Sequence, residues 1–311
     1  MACATRLIPT NNKKSEKPIM TASSRWSARA GNGCVFVDDS ELDRVILQHQ
    51  VRSGLMPYIH PLRLASGRAC LTEDSPWHHP HQHGIQLAFT NVNGCDFWHY
   101  PGQKADQMVG LIQASDPQIQ NNSNKASWVI QTVWKHKDGS HLLAGKQNWS
   151  LTGQDDLIFV DLDWTLRSIT DVTIKEYPYG GLFIRMPFRS EYGATVINSQ
   201  GLKDLDTEQQ EASWVDLHMP IEHARYLGDG KVESSPLQGG IAVFDHPDNL
   251  GHPVKWRVDH QRGINPSPCI KGNVELPSGT ALQLRYRLVL HGDSLTAEKL
   301  DGLWDEYAKP V

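Results

Sequence analysis

Four of the chain's 15 histidines fall within six residues, at Trp77-His78-His79-Pro80-His81-Gln82-His83-Gly84. Neutral imidazole is the commonest metal ligand and the side chain best suited to move protons near neutral pH, so this density marks a polar active site. In an extended segment His79, His81 and His83 project to one side at period two while His78 faces the other. Three ligands would then converge on one divalent ion, with Zn, Mn, Ca and Fe all open as its identity. The same imidazoles also suit a metal-free acid–base site. Flanking residues Pro76 and Pro80 equally allow a solvated turn whose imidazoles cap backbone groups. Glu73 and Asp74, just upstream, are placed to supply a carboxylate ligand or an acceptor that fixes an imidazole tautomer.

The elements that must position this segment read mostly as strands. The period is two in 33–38 and clearest in 127–135, where β-branched and aromatic residues dominate. Further strands are expected at 157–164, 181–186, 240–244 and 282–290. In the last, Leu282, Leu284, Tyr286 and Leu288 alternate with Gln283, Arg285 and Arg287, as one buried and one wet face require. Turn chemistry separates the runs at Lys137-Asp138-Gly139, Gly228-Asp229-Gly230 and Pro277-Ser278-Gly279. Only 294–307 reads as a helix, with Ser294 as N-cap and Leu295, Leu300, Leu303 and Trp304 available to pack on the body. The fold class is therefore all-β. Residues 1–25 read as a flexible tail and 26–311 as a single domain, a length that one all-β domain accommodates.

Composition narrows the partners. Lys and Arg total 30 against 35 Asp and Glu, a net charge of −5 with no basic stripe of the kind that neutralises phosphates, so nucleic acid is not expected. The apolar runs are far shorter than the roughly 20 residues that cross a bilayer, so no membrane role is expected. Five scattered cysteines without a CxxC pair suggest neither a zinc knuckle nor a disulfide framework, and fit a reducing, cytoplasmic location. The first 25 residues are basic and Ser-rich but lack the apolar stretch of a secretory signal, and a transit peptide is the weaker alternative.

The order of several motifs resembles the PmoA-like proteins, also classed as a domain of unknown function. They are Tyr58-Ile59-His60-Pro61-Leu62-Arg63, Ser66-Gly67-Arg68, His79-Pro80-His81-Gln82-His83-Gly84-Ile85, Gly94-Cys95-Asp96-Phe97-Trp98 and Tyr179-Gly180-Gly181-Leu182-Phe183-Ile184-Arg185. Trp214-Val215-Asp216, Gly240 through Asn249 and Tyr286 through Gly292 complete the order. His83 stands where arginine is common in that family. The methane-oxygenase label does not suit a chain without a spanning segment. The resemblance implies instead a large antiparallel β-sandwich, similar to the galactose-mutarotase superfamily, and a small carbohydrate as substrate. Many such enzymes carry a base glutamate after a Pro-Gly turn near the end of the sheet, where this chain has Thr280 in Leu276-Pro277-Ser278-Gly279-Thr280. Simple ring-opening mutarotation is thus less attractive than chemistry run by histidines and a distant carboxylate.

The leading expectation is a carbohydrate lyase, hydratase or isomerase acting on an oxidised (keto) sugar or glycoside. His79, His81 and His83 would hold a metal or share the proton work, and His81, Asp245, His246 and Arg185 would carry catalysis. Arg63, Trp98 and Tyr179 would bind substrate, since a cation and aromatic faces suit oxygen-rich rings. Each has a plainer role open to it. Most of the 10 tryptophans belong in a core, Arg185 suits a structural ion pair, and His246 before Pro247 suits a turn. Two other classes stand beside the first: a non-haem metal oxygenase built on two histidines and a carboxylate, and a non-catalytic sugar-binding sandwich.

Overall fold

The structure is a computed structural model that describes residues 24–309, apart from 53–55, 67, 104–107, 124, 223, 229–230 and 235. The expected tail therefore lies outside the described residues as far as residue 23. So do Gly67 of the Ser66-Gly67-Arg68 motif and two residues of the Gly228-Asp229-Gly230 turn.

Alternating side chains become two antiparallel sheets packed face to face. The first has eight strands in the order Trp26–Gly31, Cys34–Asp39, Arg44–Gln50, Tyr58–Leu62, Ile85–Ala88, Gly181–Ile184, Ile264–Pro266 and Trp256–Val258. The second has nine, the path running Thr195–Asn198, Trp214–Ile221, Leu237–Asp245, Ala281–His291, Leu157–Ser168, His141–Gln154, Ala126–Lys135 and Leu111–Ala114, with Gln118–Ile119 also paired to Ala126–Lys135. Val35, Ile46, Leu87 and Leu182 from the first sheet share one core with Trp128, Leu151, Leu162 and Leu288 from the second, the hallmark of a β-sandwich. The expected all-β sandwich is what forms.

Every expected strand is present, most of them longer than their sequence signal. One 14-residue strand, His141–Gln154, was not expected. Its buried positions Leu143, Gly145, Gln147, Trp149 and Leu151 do alternate, but a glycine and a glutamine interrupt the apolar series. Glycine is required at 145 because a Cβ would run into the Thr132 hydroxyl of the next strand. Gln147 is accommodated because its Oε1 accepts from Trp149 Nε1 at 3.0 Å.

The helix begins later than expected, at Ala297–Tyr307, with Thr296 rather than Ser294 as its N-cap. Thr296 Oγ1 accepts from the Lys299 N–H at 3.2 Å, whereas Ser294 Oγ lies 3.3 Å from His218 Nδ1. Leu300 and Leu303 bury against Phe159, Trp214, Phe244 and Val289, sealing the outer face of the second sheet at about 2 kcal/mol per leucine. No helix among the described residues is long and apolar enough to cross a membrane.

Candidate active site

The histidine segment does not form a strand. Two successive β-turns replace it, closed by His79 N–H to Pro76 O at 2.9 Å and Gln82 N–H to His79 O at 3.0 Å. Pro80 occupies the second position of the second turn, where its fixed φ is favoured. The loop is then locked to the sheet at Gly84, whose N–H donates to Glu73 O at 2.8 Å and whose carbonyl accepts from Arg185 N–H at 2.7 Å. Gly84 has φ +39°, and a Cβ there would strike the Ile59 carbonyl, so the exit from the loop demands glycine.

Turns break period two and send the imidazoles in different directions. His78, His79 and His81 line a cavity of about 420 Å³ together with Gln82, Trp98, His99, Gln103, Tyr179, Phe183, Arg257 and Asp259. Strands Ile85–Ala88, Gly181–Ile184, Ile264–Pro266 and Trp256–Val258 lie side by side beneath it, and each neighbouring loop contributes a wall. His83 turns elsewhere. Its Nδ1 lies 2.5 Å from Asp74 Oδ1, its Nε2 is hydrogen-bonded to the Tyr100 hydroxyl, and its ring stacks on Tyr58 at 4.4 Å. The expected three-ligand set of His79, His81 and His83 is therefore not assembled. Among the described residues no group of three or more His, Cys, Asp or Glu side chains is arranged to hold a metal ion.

The central feature of the cavity is a pair of facing imidazoles. His81 and His99 have ring centroids 4.5 Å apart. His99 donates from Nδ1 to Asp96 Oδ2 at 2.8 Å, which leaves the Nε2 lone pair directed at the Tyr179 hydroxyl 3.4 Å away. Asp96 is itself held in place by the backbone N–H groups of Trp98 and His99, both of which donate to Oδ1. Asp96 thereby fixes the tautomer and the orientation of the ring, as the buried acid of a catalytic triad does. Burial, reinforced by the neighbouring His99, pushes His81 down to about 3, so His81 is a neutral imidazole at any physiological pH. Tyr179 is pushed well above the usual phenol range by burial and then by Tyr177, so it keeps its proton.

The remaining walls supply rigidity and polarity. His78 and His79 share an Nδ1 to Nδ1 hydrogen bond at 2.7 Å. Both are held below the ordinary histidine range by burial and then by Arg185, which favours one neutral donor and one neutral acceptor. Trp98 packs edge-on to Phe183 at 5.3 Å and against Tyr179 at 5.0 Å, forming an aromatic wall. Two buried polar atoms on these walls, His81 Nδ1 and Trp98 Nε1, have no protein partner among the described residues, a deficit that a polar ligand or water is suited to fill.

Trp98 and Tyr179, expected to bind substrate, thus line the cavity with His81 and His79. Other expected residues are dispersed. Arg185 is fully buried beneath the cavity, not on its wall. It donates from Nε and Nη2 to Gln82 Oε1, from Nη1 to Gln261 O and from Nη2 to Asp259 Oδ2 at 3.1 Å, so it positions two wall residues in place of presenting a charge to substrate. Arg63 bridges Cys70 through its backbone, and neither residue is on the cavity wall. Asp245 ends a strand of the second sheet, and His246 directly follows it. Asp245 is sealed between His252 and Asn249, and His246 borders a different groove of about 940 Å³. Both arginines of that groove are paired, Arg287 to Asp161 at 2.7 Å and Arg285 to Asp248 at 3.0 Å. Residues that sequence reasoning missed are His99 and Asp96, together with the cavity-wall residues Arg257 and Asp259. The Asp-x-x-His spacing at 96–99 was visible, but His99 stands alone, outside the dense cluster.

The fold and this cavity define a two-sheet antiparallel β-sandwich with an imidazole-lined site at one end of the smaller sheet. The model of a family of unknown function, DUF6807, matches residues 37–305, and the chain belongs to that family. The PmoA-like label suggested by motif order is not carried by that match. No curated protein matches the chain. Among solved structures it is similar to a galactose 1-epimerase from Lactobacillus acidophilus, at 10% identity and TM-score 0.37 over 86% of this chain and 94% of that one. It is also similar to a galactose mutarotase related enzyme from the same organism, at 8% identity and TM-score 0.31 over 87% and 99%. An α-galactosidase of Geobacillus stearothermophilus gives 11% identity and TM-score 0.34 over 86% and 40%. Those scores are too low to transfer an activity from any of these proteins.

Proposed function

We propose that this protein is an acid–base enzyme that removes a proton next to the carbonyl of an oxidised, sugar-sized substrate, leading to isomerisation or elimination. The observation that carries the reading is the Asp96-oriented His99, whose Nε2 faces the cavity opposite the neutral His81 and beside the Tyr179 hydroxyl. A reacting ring seated against Trp98 and Tyr179 places its acidic C–H at His99 Nε2, which takes the proton while the C–H electron pair moves into an enolate. The developing oxyanion accepts a hydrogen bond from an N–H of neutral His81, and a second from Tyr179 O–H, which turns from His99 Nε2 to the oxyanion as Nε2 engages the substrate proton. Returning the proton to a different carbon or face completes an isomerisation, and expulsion of a leaving group from the β-carbon completes an elimination. Asp96 stabilises the imidazolium formed in between. A cavity of about 420 Å³ with an aromatic wall and polar remainder suits a small oxygen-rich ligand.

The test is to incubate the protein with ketoglucose and other keto-sugars in D₂O and follow loss of the proton next to the carbonyl by proton NMR. Enzyme-dependent exchange, abolished in His99→Ala, supports the reading. Tight binding of a sugar without exchange in any keto-sugar would place the protein with non-catalytic sugar binders. Stoichiometric metal in the purified protein, lost together with activity in both His79→Ala and His81→Ala, would move the proton chemistry to a metal centre.

A further inference from the structure

Trp77 is 92% exposed, while the next most exposed large apolar side chain among the described residues, Leu250, reaches only 47%. A single exposed apolar side chain is ordinary on a protein surface, but this indole, with its large flat face, is in ring contact with His78, which lines the cavity. Its placement is not arbitrary. Trp77 lies in the first turn of the histidine loop with its ring edge-on to His78 at 5.5 Å. From there the rings continue inward: His78 to His79 at 5.0 Å, His79 to His81 at 5.8 Å and His81 to His99 at 4.5 Å. The hydrogen bond between His78 and His79 stiffens the middle of this series.

We infer that Trp77 is an outer subsite, and that the substrate is a two-ring compound, a keto-disaccharide or keto-glycoside, whose second ring stacks on this indole. The inference rests on the proposed acid–base reading of the same cavity. A reacting ring seated against Trp98 and Tyr179, beside the contacting His81 and His99 rings, occupies the inner end of the series, and a substituent leaving it past His79 and His78 emerges towards Trp77. The exposed indole face is apolar and flat, which matches the C–H face of a pyranose or an aryl aglycone and offers nothing to a free anion. Binding energy from this remote ring would then contribute to orientation of the reacting one.

The experiment compares wild type, Trp77→Ala and Trp77→Phe on two probes, ketoglucose and ketosucrose, reading kcat/KM by proton exchange and binding by intrinsic fluorescence. Trp77→Ala is expected to lower kcat/KM for ketosucrose about tenfold through KM, with ketoglucose changed by less than about twofold and Trp77→Phe largely restoring the disaccharide. Ketosucrose should shift wild-type fluorescence in a way that Trp77→Phe lacks. Equal losses on both probes, or no loss on either, would overturn the subsite while leaving the acid–base reading intact. Absence of exchange with both probes in wild type would instead remove the acid–base reading, and the subsite with it. A fall in native mass on size exclusion caused by Trp77→Ala would also overturn the inference, because the indole would then be covered by a second copy of the chain.

Discussion

Two carboxylate–imidazole pairs of nearly the same geometry sit in opposite surroundings. Asp96 and His99 meet at 2.8 Å, and the far nitrogen of His99 faces a cavity and a phenol. Asp245 and His252 meet at 2.6 Å, but His252 stacks on Trp304 at 5.8 Å, and Trp304 Nε1 donates to the Asp245 carbonyl at 3.0 Å. Asn249 adds a second bond to Asp245 at 2.7 Å. Burial pushes the Asp245 carboxyl up, against the opposing pull of His252 and Asn249. His99 lines the cavity, whereas His252, although its side chain is the more exposed of the two (14% against 6%), packs on the helix away from that cavity. An ordered imidazole becomes chemistry only where a cavity can seat a ligand at its second nitrogen. The His252 pair instead braces the helix against the second sheet.

The largest effect expected from this comparison is on turnover. Asp96→Asn should lower kcat by about 10³-fold with the fold retained, because the amide stabilises the wrong His99 tautomer. Asp245→Asn should leave kcat per folded molecule unchanged, with a loss of stability of about 2 kcal/mol from the mismatched His252 and Asn249 contacts. Steady-state exchange kinetics and denaturant unfolding separate the two outcomes. Arg185→Met should cost about 3 kcal/mol on unfolding by leaving the Asp259 carboxylate without its buried partner, and should lower activity by releasing Gln82 from the cavity wall.

Acid sharpens the contrast more gently. His81, on the cavity wall, and His49, in the core where its Nδ1 accepts from Trp128 Nε1 at 3.1 Å, are both pushed down to about 3, by burial first. Both are neutral in the folded chain and titrate near 6.5 once unfolded, so the stability they contribute is fully present above about pH 6.5 and declines as pH falls toward 3. His49→Gln should flatten the decline of unfolding free energy between pH 6.5 and 4 by about 1 kcal/mol per pH unit, reading His49 because it is the fully buried one. The smallest effect belongs to Arg63→Ala, which should change activity less than about twofold and stability by less than about 0.5 kcal/mol, since Arg63 is not on the cavity wall.

Much of the fold was legible because strand burial writes itself as alternation. Leu282, Leu284, Tyr286 and Leu288 announced their strand, whereas His141–Gln154 hid behind Gly145 and Gln147, whose inward positions depend on Thr132 and Trp149 across and along the strand. The site was legible in part. His81, Trp98 and Tyr179 were singled out and do share a cavity, because local density and aromatic character signal polar pockets. What the sequence hid was the path of the loop. Pro76 and Pro80 fold the histidine segment into turns, so His83 parts from His79 and His81, and the empty side of the pocket is filled by His99 from a segment with no cluster of its own. Asp245 and His246 stood together with a carboxylate and an imidazole, but only the topology reveals that the strand ending at Asp245 belongs to the other sheet.

The most direct test of the account compares His99→Ala with His252→Ala in the same keto-sugar exchange experiment in D₂O, with the folded fraction of each variant measured by near-ultraviolet circular dichroism. Exchange at the wild-type rate per folded molecule is expected for His252→Ala, and a loss of at least about 10²-fold for His99→Ala. Wild-type exchange in folded His99→Ala, or its loss in folded His252→Ala, would contradict the assignment of the cavity as the active site.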